Sequence, residues 1–163
     1  MNEDLAFIQK HRNRGALFDA NLLIVYLVGK TGRERLTRLQ HTRQYVDDYP
    51  LVERLVEYFR LIYTTPNVLT EVSNLGRKAG LDFFAHMQVM VHVLEERYIT
   101  SKDAVGDPHF AVLGLTDSAL LSVASETLIV TADFPLYSIL RARQLDAVNF
   151  HHLRPVWWQM SDL

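Results

Sequence analysis

Four acidic residues sit where carboxylates can do chemistry. Asp19 closes the short apolar run ALF at 16–18, and Asp133 lies just past the β-branched run TLIVT at 127–131. Glu71 has Val68 and Leu75 as its i−3 and i+4 neighbours, so its carboxylate stands at the edge of a helix's apolar face. Asp117 follows Thr116 and the apolar approach AVLGL at the head of another helical segment. Two unit charges ~4 Å apart repel by about 4 kcal/mol at an effective dielectric of ~20, so four gathered carboxylates need cations or bound protons. No Cys is present, and no His pattern near the acids competes for a soft metal. An all-oxygen set points to Mg²⁺ or Mn²⁺. Such an ion polarises a phosphoryl oxygen and activates water, which is what phosphodiester hydrolysis requires. No Ser-His-Asp spacing or glycine-rich phosphate loop offers a rival mechanism.

Taken singly, each acid has a simpler reading. Asp19 and Asp117 suit helix caps or first-turn positions, which the macrodipole favours. Asp133 suits a turn, and Glu71 suits a solvated helical face. The pattern gains weight only jointly, because all four fall at strand ends or helix starts on one side of the expected sheet, where ligands of open α/β sheets bind.

Those positions depend on the elements around them. ALF reads as a buried strand, followed by a helix capped near Asp19 or Asn21 and stopped at Gly29. Residues 33–48 are basic and helical in composition. Leu51, Val52, Leu55, Val56 and Phe59 make an amphipathic helix after Pro50. Residues 61–64 read as a strand, and Thr65-Pro66 opens a helix with Thr as cap, ending near Gly76. A long apolar helix is expected over about 81–96, a short one from Ser101, and one capped by Thr116 and ending near Ser125. TLIVT has the wholly apolar character of a parallel strand covered on both faces. Pro135 opens a helix to about Arg143, and residues 147–150 form a last strand. Alternating strands and helices predict an α/β three-layer α/β/α sandwich with a mostly parallel sheet. One domain over 1–163 is expected, with its core at about 15–150 and a C-terminal tail at 151–163.

Four segments together resemble the PIN domain, the metal-dependent ribonuclease fold of the VapC-type toxins: FDANLL with Asp19 and Asn21, YTTPNVLTEVSNL with Glu71, LTDSALLSVAS with Asp117, and IVTADFPLY with Thr131 and Asp133. The resemblance runs from about Ala16 to Phe150. It implies that Asp19, Glu71, Asp117 and Asp133 hold one or two Mg²⁺ or Mn²⁺ ions and that a metal-activated water cuts single-stranded RNA. It also implies that Asn21 and Thr131 fix carboxylate rotamers from behind, that the chain is able to form a homodimer, and that an antitoxin protein is a partner if the chain is a toxin. The chain departs from a compact toxin in its length, in the long insert carrying residues 33–43, and in the tail HHLRPVWWQMSDL.

The 163 residues carry 17 Lys plus Arg against 19 Asp plus Glu, and 48% are apolar. That composition fits a folded globule rather than a disordered chain. The absence of Cys excludes disulfides and thiolate metal sites and fits a reducing cytoplasm. The longest stretch free of Asp, Glu, Lys and Arg is 83–94, too short to span a bilayer. From Lys10 to Arg43 there are eight basic residues and two acids, a charge of +6, leaving −8 for the rest. Arg33, Arg35, Arg38 and Arg43 are therefore candidates for tracking RNA phosphates or gripping an acidic segment. His151 and His152, read as a strand end, would point to opposite sides, so a structural or surface role is expected. His86 and His92 are expected at the core's edge, and Trp157 and Trp158 in a tail packed on the domain or on a second copy. The competing functions are a PIN-like module that binds RNA or protein without cutting, and a haloacid-dehalogenase-like phosphatase with Asp19 as nucleophile. The phosphatase would want an Asp where Asn21 stands.

Overall fold

A computed structural model describes residues 2–157. The chain opens with α1 (Glu3–His11), capped by Asn2, and enters β1 (Ala16–Phe18) and α2 (Ala20–Thr31). Two 3-10 turns follow at Arg33–Arg38 and Arg43–Tyr45, then α3 (Tyr49–Tyr58), β2 (Ile62–Thr64) and α4 (Pro66–Leu75). A 3-10 turn at Gly76–Ala79 leads to α5 (Leu81–Val93), β3 (Glu95–Glu96), α6 (Ser101–Ala104) and α7 (Phe110–Val123). The chain continues through β4 (Leu128–Thr131), α8 (Phe134–Ala142), β5 (Ala147–Asn149) and α9 (Phe150–Leu153).

The strands form one parallel sheet in the order β3-β2-β1-β4-β5. Every residue of β1, β4 and β5 is buried. Successive strand residues face opposite ways, so both faces must be covered. Flanking helices do this, giving the expected three-layer α/β/α sandwich. Phe18, Phe83, Phe150, Ile8, Leu17 and Leu120 are among the largest fully buried side chains. The chain leaves β1 toward β2 on one side, whereas β4 and β5 continue on the other. The β1–β4 boundary is thus a topological switch point, the place where open α/β sheets leave a crevice at their carboxyl ends.

Several local expectations are corrected. The basic stretch is not a helix but two 3-10 turns, because Leu39 is extended (φ −107, ψ 136) and Thr37 and Thr42 hydroxyls donate to the Glu34 and Leu36 carbonyls instead. Gly29 does not stop α2: an added Cβ would lie 2.0 Å from the Tyr49 ring, so the glycine lets α3 approach closely. Helix α2 instead ends at Gly32. Thr116 caps nothing, since the break in α7 is at Gly114 (φ 78, ψ −177), a left-handed conformation that glycine adopts without steric cost. The apolar helix is shorter than expected and mostly exposed. Only Phe83 of α5 is buried, its ring seated against Gly76, while Leu81, Val89 and Val93 are 87%, 66% and 66% exposed. His86 and His92 are exposed on it rather than at the core's edge, and His151 and His152 lie on α9 rather than a strand end. Trp157 is exposed, while Trp158 and the rest of the tail lie outside the described residues. Among the described residues no helix is long and apolar enough to cross a membrane.

The basic segment is also less isolated in space than in sequence. Lys10 pairs with Asp146, Lys30 with Glu53 and Glu57, Arg33 with Asp47, and Arg35 with Asp82. Much of the +6 is thereby neutralised by acids from the −8 remainder. Arg38 and Arg43 are exposed and form no ion pair among the described residues.

Candidate functional site: a four-carboxylate cleft

At the switch point Asp19 and Asp133 terminate neighbouring strands, and each caps the helix that follows. Asp19 Oδ1 accepts the Leu22 N–H at 2.8 Å, and Asp133 Oδ1 accepts the Leu136 N–H at 2.8 Å. Asp19 is therefore the cap it is expected to suit, and Asp133, expected in a turn, is a cap as well; neither role competes with a site, because capping places both carboxylates at the sheet's carboxyl edge. Asp19 is buried, and its second oxygen accepts from the Thr131 hydroxyl at 2.5 Å and the Ala132 N–H at 2.8 Å. The same hydroxyl accepts the Asp133 N–H at 2.9 Å. Thr131 thus ties the two acids together and locks the Asp19 rotamer, the task expected of it. Asn21, expected to share that task, lines the cleft but makes no hydrogen bond to any of the four acids among the described residues.

Glu71 reaches the cleft from α4, whose start is set by Thr65: its hydroxyl accepts the Val68 N–H at 3.2 Å and Pro66 occupies the first turn. Asp117 arrives from the second half of α7, three residues past the Gly114 break. All four carboxylates line one cleft of about 260 Å³, with Ala20, Asn21, Leu113, Gly114, Leu115 and Thr116. No Lys, Arg or His among the described residues lines it. Beyond Glu71, Leu115 and Thr116 it leads into a groove of about 370 Å³ along α4, bordered by Asn67, Thr70 and Asn74.

The electrostatics follow from this crowding. Burial, then Asp19, Asp133 and Glu71, push the Asp117 carboxyl up to about 7. Asp117 makes no hydrogen bond among the described residues that would offset it. Burial also raises Asp19, opposed by its bonds to Thr131, Leu22 and Ala132.

All-oxygen donors of this kind would suit a hard divalent cation. Its spacing is looser than a closed cage, since no three His, Asp or Glu among the described residues stand close enough to hold one ion. Mg²⁺ in particular keeps several waters and takes only one or two carboxylates directly, so the residues present fit a partly hydrated ion and not a fully protein-ligated one. His151, for which a structural or surface role is expected, lies on α9 with its ring stacked on Tyr45, centroids 6.4 Å apart and planes at 20°. No family model, curated protein or solved structure matches the chain.

Proposed function

We propose that the protein is a Mg²⁺- or Mn²⁺-dependent endoribonuclease of the PIN type, cutting single-stranded RNA, in the role of a toxin of a toxin–antitoxin pair or another defence module. The carrying observation is that carboxylates from four separate stretches of sequence share one cleft at the sheet's switch point. A pure binding surface gains nothing from such mutual repulsion. Asp19, held by three hydrogen bonds, is the fixed member. Asp117, with none, can turn toward an ion or keep a proton near neutral pH. Asp133 caps α8 just past β4 and Glu71 lies on α4, so these two acids reach the cleft from different elements. A bound divalent cation would supply charge neutralisation and activation of water at phosphorus.

One observation favours the non-catalytic module: the absence, among the described residues, of three ligands close enough for one ion. Incubating the protein with labelled single-stranded RNA and Mn²⁺ separates the two. Cleavage abolished by EDTA and by Asp117→Asn is expected. Metal-independent RNA binding without cleavage sinks the nuclease reading, and hydrolysis of small phosphate monoesters in its place would make the protein a phosphatase.

A further inference from the structure

An all-carboxylate cleft does not attract a polyanion, so an RNA strand lying across it must draw affinity from contacts outside. Arg33 and Arg35 are engaged by Asp47 and Asp82. Arg38 and Arg43 stay exposed and form no ion pair among the described residues, so they remain open to phosphates. An uncharged contact adds to these, and Phe134 offers one. It follows Asp133 directly, opens α8, and is 64% exposed. It is not among the hydrophobic side chains packed against the core. Its ring centroid lies 6.4 Å from that of Tyr137, tilted by 41°, and Tyr137 meets His152 edge-on at 5.2 Å. Phe134 is thus braced by a part-buried aromatic neighbour while most of its own surface faces water.

A ring that is mostly exposed among the described residues, one position along the chain from a site carboxylate though not itself lining the cleft, has the chemistry to cover a nucleobase. Bases are planar and uncharged, so neighbouring carboxylates do not repel them, and they stack on aromatic side chains when unpaired. A protein partner fits less well, because one ring is far smaller than the roughly 800 Å² per partner of a stable interface. We propose that Phe134 is the platform on which an unpaired base next to the scissile phosphate stacks, positioning single-stranded RNA over the carboxylates. This rests on the ribonuclease reading above.

The test is steady-state cleavage of a short labelled RNA with Mn²⁺ by wild type, Phe134→Ala and Phe134→Trp, repeated with one abasic nucleotide placed at each position in turn. Phe134→Ala should raise KM about tenfold with kcat within about twofold, the scale of one lost base stack, and Phe134→Trp should restore it. One abasic position should raise the wild-type KM similarly and add nothing to Phe134→Ala; this arm needs no variant to fold. Wild type that cuts RNA with the same KM as Phe134→Ala, and with no sensitive abasic position, overturns the platform alone. Wild type that cuts no RNA overturns the nuclease reading and the platform with it.

Discussion

Asp117→Asn is expected to melt higher than wild type in metal-free buffer at pH 8 while cleaving no RNA. Its carboxyl, ordinarily near 3.8, is pushed up to about 7 by burial and by Asp19, Asp133 and Glu71. An acid whose folded pKa is raised burdens the native state wherever it is ionised. The cost is full above about 7, fades as pH falls through 7, and is gone near the unfolded value of about 4. A rise from 3.8 to about 7 corresponds to roughly 4 kcal/mol as an upper limit, reduced by solvent at a part-exposed group. With about 2–4 °C per kcal/mol for a domain of this size, a rise of roughly 5 °C is expected at pH 8. The gap between variant and wild type should narrow to about two-fifths by pH 5 and close near pH 4. Asp107, Glu53 and Asp146, lowered by Arg143, Lys30, and His11 with Lys10, act with the opposite sign. Their contribution is lost only as pH falls toward their own depressed values. A strongly destabilised Asp117→Asn in thermal melts would mean that the carboxylate supports its helix and is not under repulsion.

Asp19→Ala should shift stability the other way, although the residue lines the same cleft. Removing its carboxylate deletes a helix cap, worth about 1 kcal/mol, and leaves the buried Thr131 hydroxyl and Ala132 N–H without their acceptor at about 1–3 kcal/mol each. Relief of a buried charge, whose pKa burial has raised, offsets part of this. A net loss of about 2–4 kcal/mol in urea unfolding is expected from these terms. Equal stability of Asp19→Ala and wild type would show that the Thr131 and Ala132 bonds contribute nothing net. The contrast is physical: one acid is embedded in donors, and the other faces only like charge.

The sequence's legibility varied with the length and clarity of each signal. The parallel core was readable because TLIVT is apolar on both faces and because Thr65-Pro66 marks a helix start without ambiguity. The acids at 19 and 133 were readable for the same reason: each sits between a strand and a helix that needs a cap. Helix α1 was overlooked although Asn2, Glu3 and Asp4 spell a capped, acid-led first turn, because Leu5 and Ile8 are too few to establish a period. Strand β3 consists of Glu95 and Glu96 alone, and its pairing with Tyr63 and Thr64 is a tertiary fact with no local trace. The exposure of α5 escaped for a related reason. An uncharged composition signals burial but not which residues find partners, and here only Phe83 does. The paired state of Lys30 and Arg35 could not be read from charge runs, since their partners lie 23 to 47 residues away.

Mn²⁺ titration by calorimetry at pH 7, run in two buffers of different ionisation enthalpy, tests most directly whether a hard cation relieves the repulsion among these carboxylates. Wild type should bind Mn²⁺ saturably and release about half a proton per ion, because a carboxyl with a pKa near 7 is about half protonated there and must give up its proton to the metal. Asp117→Asn should lose that proton release. No saturable binding, or binding whose proton release is unchanged in Asp117→Asn, would contradict the cleft's assignment as a metal site.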